Sequence, residues 1–285
     1  MNGIPLPGEF GERARAIIAG EITPVPARDA ATVALLRRTR PQGTHGDAPA
    51  LEVYMLRRKA SMAFAAGAYV FPGGSVDPRD ADLALAWAGP APETWGRVFG
   101  ADARTARGLV CAAVRETFEE SGVLLAGPSG DTVVADTTGD DWEDDREALI
   151  DRRLSLAEFL TKRGLVLRAD LLRPWSHWIT PEVEHKRFDT RFFVAAMPPG
   201  QRTRDVGGEA DEVAWLRPAQ ALDRAKDGQI VLMPPTFRTL TELTAFDDVE
   251  DVLACDREIV TFQPHAAEVD GEMWLVIPDE DYRMP

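Results

Sequence analysis

Apolar positions along this chain fall into short runs separated by Gly, Pro and Asp, with helical spacing in only a few places. Residues 31–36 (ATVALL) and 51–56 (LEVYML) read as strands, and the Gly/Pro/Asp-rich stretch 41–49 between them predicts a hairpin. A third apolar run, 68–71 (AYVF), is halted at Pro72-Gly73-Gly74. Further strand patterns occur at 175–179, 191–196 and 212–216, and two more, at 259–262 and 273–277, are expected to join across Asp270-Gly271.

Helical spacing is clearest over 104–121, which Gly122 closes. A second helical region spans 142–163, its first turn carrying Glu143, Asp144 and Asp145, the charge sign favoured at a helix N-terminus. A Pro-started helix covers 218–226, and another follows Met233 with Phe237, Leu240 and Leu243 on one face. Residues 1–29 read as a loosely organised lead-in with one short helix at 9–18. Residues 78–102, rich in Ala, Pro and Asp with Trp87 and Trp95 as isolated anchors, read as a surface insertion. Strands and helices alternate without an internal repeat or a clear linker. That predicts α/β layers in a single enlarged domain over 30–285.

Composition narrows the function classes. The 285 residues are 45% hydrophobic and 28% charged, ample for a packed core. Lys and Arg total 32 against 47 Asp and Glu, a net charge of −15. Sequence-independent duplex binding needs a basic surface and is excluded, so no nucleic-acid partner is expected. The two cysteines, Cys111 and Cys255, are too few for a disulfide framework and form no Cys-x-x-Cys pair. No apolar run reaches membrane-spanning length and no secretory signal is visible, which leads to the expectation of a cytoplasmic protein without a membrane partner. The acidic runs 140–147, 247–251 and 279–281 read as solvated faces or helix starts.

The chemistry concentrates in Arg115-Glu116-Thr117-Phe118-Glu119-Glu120-Ser121-Gly122-Val123. At about 100° per residue, Glu116, Glu119 and Glu120 share one arc of about 100°, beside an apolar face containing Val110, Val114 and Phe118. Like charges at these spacings repel. They also stand at the helix C-terminal end, where the dipole disfavours anions. A cation relieves both penalties, and hard oxygen ligands suit Mg²⁺ or Mn²⁺. Cys111 falls on the core side of the same helix and reads as a small hydrophobe.

Together with Gly74 upstream, this segment resembles the signature of the Nudix hydrolases: Gly, five residues, Glu, seven residues, then Arg-Glu-aliphatic-x-Glu-Glu-x-Gly-aliphatic. Arg115, Glu116, Glu119, Glu120, Gly122 and Val123 match their positions. Where that signature has 13 residues between Gly and Arg, this chain has 40 (75–114), an excess of 27. The first Glu is absent; counted forward from Gly74 its position holds Asp80, and counted back from Arg115 it holds Arg107. Thr117 replaces an aliphatic residue. The interrupted box resembles the branch that includes the peroxisomal coenzyme A diphosphatases, as do 56–59 (LRRK) with 67–77 (GAYVFPGGSVD), 186–193 (KRFDTRFF) and 233–236 (MPPT).

The resemblance implies a Nudix-type α/β/α sandwich with a mixed sheet and additional helices, and metal-dependent hydrolysis of a diphosphate in a small-molecule substrate. Its branch implies coenzyme A or acyl-coenzyme A, cleaved to 3′,5′-ADP and (acyl-)4′-phosphopantetheine. An ADP-ribose or NADH pyrophosphatase and a non-catalytic Nudix-fold ligand-binding regulator stand as alternatives, and a homodimer is left open. Glu119 and Glu120 are expected as direct Mg²⁺ or Mn²⁺ ligands, Glu116 as a ligand or water-holder, and the Gly73 carbonyl as a further ligand. Arg115 is expected to pair with a box glutamate. Glu209, in the Gly207-Gly208-Glu209 loop, is the candidate general base. Arg57, Arg58, Lys186 and Arg187 are candidate phosphate-binding cations.

Overall fold

The computed structural model describes residues 3–39, 50–59, 61, 65–204 and 210–277. The chain begins with β1 (Gly3–Pro5), α1 (Glu9–Ile18), β2 (Arg28–Arg38), β3 (Leu51–Arg58), β4 (Ala68–Val70) and β5 (Gly73–Ser75). It continues through β6 (Trp87–Ala88), α2 (Pro92–Phe99), α3 (Ala103–Ser121), β7 (Ala126–Gly127), α4 (Asp140–Ile150) and α5 (Leu156–Lys162). Next come β8 (Val166–Arg168), β9 (Leu172–Ile179), β10 (Phe188–Ala196), β11 (Ala210–Leu216), α6 (Pro218–Lys226) and β12 (Val231–Leu232). The last elements are α7 (Pro234–Leu243), α8 (Val249–Ala254), β13 (Thr261–Phe262), β14 (His265–Val269) and β15 (Glu272–Val276).

β2 lies at the centre of a mixed sheet ordered β12-β4-β3-β2-β10-β9-β13, with β11 added against β3 and β5 against β2. β2 and β3 pair antiparallel as expected of a hairpin, whose connecting stretch 41–49 lies outside the described residues, while β10 runs parallel to β2 from Arg28↔Phe188 to Leu36↔Ala196. Both faces of β2 are buried. Ala31, Val33 and Leu35 pack with Val110, Val114 and Phe118 of α3, and Ala34 and Leu36 pack with Leu240, Leu243, Val249 and Val252 of α7 and α8. A strand covered on both sides has no solvent face to alternate with, which is why its sequence is a continuous apolar run. The result is the expected α/β/α sandwich.

Three expectations need correction. The region 142–163 is two helices, not one: α4 ends before Arg152, whose φ is +59°, and a Ser155–Glu158 capping box starts α5. Asp270 and Gly271, with φ of +52° and +83°, do turn a hairpin, but between β14 and β15; Thr261-Phe262 pairs instead with β9. The lead-in is built into the fold, since β1 pairs with β15, and α1 buries Ala14 against Met273 and Val183.

The stretch between the Gly-Gly turn and α3 also differs from a surface loop. Pro78–Ala81 forms a 3-10 turn, and α2 buries Trp95 and Phe99 against Phe193 of β10, with ring centroids 5.7 and 5.3 Å from Phe193. Ring contacts of this kind stabilise by about 0.5–1.5 kcal/mol beyond area burial. Among the described residues, no helix is long and apolar enough to cross a membrane.

Candidate active site

Helix α3 is fixed at both ends by local chemistry. The Asp102 side chain accepts from the Thr105 N–H at 2.8 Å, and Gly122 takes the left-handed conformation (φ +73°) that ends the helix. Thr117, where the signature has an aliphatic residue, is fully buried and donates its hydroxyl to the Ala113 carbonyl at 2.7 Å. The substitution therefore leaves no polar atom stranded.

β5 brings the Gly-Gly turn onto the glutamates. The Gly73 N–H donates to Glu120 Oε2 at 2.8 Å. Gly74 lies so close to Glu116 that a Cβ there would stand 2.5 Å from Oε1, so the carboxylate occupies the space a side chain would need. The 27 extra residues thus leave the box assembled.

Arg115 is the hub of the cluster. Its Nε and Nη2 donate to Asp80 Oδ1 and Oδ2 at 3.1 and 3.0 Å, and Nη2 also donates to the Ser75 carbonyl at 2.9 Å. Nη1 donates to Glu116 Oε1 at 2.7 Å and Glu119 Oε1 at 3.2 Å. Burial drives the Glu116 carboxyl up to about 7 against the pull of Arg115, and raises the Glu119 and Asp80 carboxyls in the same way. Burial opposes the charge on Arg115 as well, yet Glu116, Asp80 and Glu119 outweigh it and keep the guanidinium ionised. From α4, the buried Arg146 donates to the Glu119 main-chain carbonyl at 2.7 Å, near the negative end of the α3 dipole.

The carboxylates fit a hard divalent cation in type and charge: all are oxygen donors, and Asp80, Glu116, Glu119 and Glu120 carry more charge than Arg115 neutralises. As they stand, Glu116 and Glu119 are turned onto Arg115, and Glu120 onto Gly73. Accordingly, among the described residues no three acidic, histidine or cysteine side chains are grouped on one point.

Gly73, Gly74 and the three glutamates line a cleft of about 880 Å³. Of the cations expected from sequence, Arg58 and Lys186 line it too. Arg57 does not; it pairs with Asp211 at 2.6 Å and Glu212 at 3.0 Å on an exposed surface. Arg187 is buried and donates to the Thr180 and Val25 carbonyls, fastening the lead-in beside the β9–β10 turn. Glu209 lies outside the described residues.

Sequence reasoning missed Arg28, Arg79, Arg146 and Arg152 as cleft residues. It also assigned Asp80 no role. Asp77-Pro78-Arg79-Asp80 is a capping box in which Asp77 accepts from the Arg79 N–H and Asp80 from the Asp77 N–H. An acidic residue, a proline and a second acidic residue three positions on were the available signal. Hydrogen bonds from Arg79 hold the Asp77 carboxyl far below the usual carboxylate range, and Arg152 pairs with the same group at 2.9 Å.

Known proteins resemble this chain in sequence and in fold. The family model of the NUDT19 Nudix domain matches residues 103–243. The crystal structure of a NUDIX hydrolase from Alicyclobacillus acidocaldarius superposes with a TM-score of 0.65 at 26% identity, covering 82% of this chain and 98% of that one. In sequence and in fold, this chain is similar to the Nudix hydrolases. Among its Nudix relatives are the proteins named acyl-coenzyme A diphosphatase NUDT19 of Xenopus laevis and Gallus gallus, each 27% identical over 70% of this chain. The matches cover 62% and 63% of those relatives, so the chain spans less than two thirds of their length. The matched Nudix region begins at α3. The Gly-Gly turn and Asp80 lie outside it and are joined to the box only in three dimensions.

Proposed function

We propose that this Nudix chain hydrolyses the diphosphate of a nucleoside diphosphate derivative, namely coenzyme A or its acyl thioesters, with Mg²⁺ or Mn²⁺ as cofactor. The observation that carries this reading is the union, in one cleft, of the glutamate cluster, a set of cations and an apolar wall. The names of the Xenopus and Gallus relatives support the substrate.

Glu116, Glu119 and Glu120 would hold the ion, with the Gly73 carbonyl as a further ligand. When bound, the ion supplies neutralisation of the diphosphate and a more acidic water. The chain's own residues do the positioning. Arg115, locked by Asp80, holds Glu116 and Glu119 in place, and the Gly73 N–H orients Glu120. Arg58 and Lys186 take phosphate oxygens, a point-charge and fork combination suited to a substrate carrying several anionic groups. Glu209 keeps the role of candidate general base.

The test is a panel of diphosphates with Mg²⁺ or Mn²⁺, with products resolved by mass. Coenzyme A is expected to give 3′,5′-ADP and 4′-phosphopantetheine. A contact to its 3′-phosphate is worth about 1.5–3 kcal/mol, so 3′-dephospho-coenzyme A should be cleaved at least about tenfold less efficiently. Equal kcat/KM for the two would remove the coenzyme A reading, and no cleavage of any diphosphate would remove the hydrolase reading.

A further inference from the structure

The cleft has two chemically different limbs. Around the glutamates it is charged. Away from them it is walled by the two ends of the chain, which form a separate small sheet, β1-β15-β14, with α1 packed on it. That unit has its own buried centre in Ala14, Val183 and Met273. Ile4, Phe10 and Leu275 are not in that centre; they line the cleft instead. Ile4 and Leu275 are directly paired across β1 and β15, which puts them on one face of the small sheet. Phe10 is 43% exposed, an unfavourable position for a phenyl ring unless something covers it. Met233 and Pro234, leading into α7, add apolar surface to the same cleft. Lys186 and Phe188 both line the cleft, with the Lys186 Nζ 5.3 Å from the ring centroid of Phe188.

We infer that the terminal sheet and α1 form a binding limb for an apolar tail on the diphosphate substrate, with Ile4, Phe10 and Leu275 as the residues that set tail preference. The inference rests on the reading of this cleft as a diphosphate site and goes further by assigning the apolar limb to a hydrocarbon chain. Continuity decides the occupant: a ligand whose diphosphate lies at Glu116, Glu119 and Glu120 meets this wall without leaving the cleft. The termini therefore do more than close the fold. Each methylene fully buried against such a wall strengthens binding by up to about fourfold.

Binding can be read without turnover. Octyl diphosphate and methyl diphosphate, titrated calorimetrically into the whole chain, should differ by at least about tenfold in affinity. In Phe10→Asp and Leu275→Asp, that ratio should fall towards one while methyl diphosphate binds as before. Thermal melts of both variants establish that the fold is intact, and Phe10→Ala serves as the milder variant if Leu275→Asp melts early. Equal affinity of the two diphosphates for the unaltered chain overturns the inference, as does a ratio that survives both substitutions. Turnover separates the two readings. If lauroyl-coenzyme A and coenzyme A are both left uncleaved while the octyl advantage holds, the coenzyme A reading falls and the apolar limb stands. If both are cleaved at equal kcat/KM and the octyl advantage is missing, the limb falls and the hydrolase stands.

Discussion

Arg115 reaches 35 positions back along the chain to grip Asp80 with two parallel hydrogen bonds, and both side chains are almost fully buried. The pair closes the site across the long excursion between the Gly-Gly turn and α3. A bidentate bond fixes the guanidinium plane as well as its position, so the remaining nitrogen is aimed at Glu116 and Glu119.

Removing Asp80 strips the buried Arg115 Nε of its acceptor while Glu116 and Glu119 still balance the charge, which costs about 1–3 kcal/mol. Asp80→Ala should therefore unfold at clearly lower urea concentration than the wild type. Asp80→Glu, which restores the residue type of the Nudix signature, should recover most of the loss. Equal urea midpoints for wild type and Asp80→Ala would show the pair to be dispensable.

The glutamate cluster carries more negative charge than Arg115 offsets, so a divalent cation should stabilise the folded chain. At a hundred times its dissociation constant, Mn²⁺ should add about 2.7 kcal/mol, visible as a rise in melting temperature that EDTA reverses. The rise should shrink in Glu119→Gln and Glu120→Gln, each of which removes a charged oxygen while nearly keeping its volume. Hydrolysis by the same variants should fall by about a hundredfold or more. An undiminished thermal shift in both would place the metal elsewhere.

The two glycines are required for different reasons, and alanine should separate them. At Gly74 the added methyl meets the movable Glu116 carboxylate, whereas at Gly73 it meets the backbone of β2, with the Ala31 carbonyl oxygen 2.6 Å away. Gly74→Ala is expected to fold normally and lose metal affinity. Gly73→Ala is expected to lose stability through the β2–β5 pairing. Circular dichroism melts alongside Mn²⁺ titrations distinguish the two outcomes.

Among the cations, Lys186→Ala should raise KM for a diphosphate substrate by about tenfold or more, the value of one charge-assisted phosphate contact. Arg57→Ala should leave KM unchanged, because Arg57 is engaged with Asp211 and Glu212 away from the cleft. Arg187→Ala should show its effect in the melting temperature, since its hydrogen bonds go to backbone carbonyls. Steady-state kinetics on the three variants checks all of this, and a Lys186→Ala enzyme with wild-type KM would remove that residue from the substrate site.

By itself the sequence determined what short-range physics controls. Helical spacing with an Asp cap and a Gly stop produced α3 and put its three glutamates on one face. A doubly apolar run produced the central strand, and Asp270-Gly271 produced a turn at the right place. The tertiary structure decided what depends on pairing across distance. A strand's partner is chosen by register and burial, so β14 rather than 259–262 answers β15, and the lead-in becomes a third strand beside it. A cation's role depends on which carboxylate or carbonyl lies within about 3 Å, so neighbours in sequence part company: Arg58 lines the cleft while Arg57 leaves it, and Lys186 lines it while Arg187 ties down the backbone. Asp80 looked like an imperfect stand-in along the chain, and only folding brings it to Arg115. The apolar limb needed both chain ends at once, a contact between positions more than 260 residues apart that no local pattern encodes.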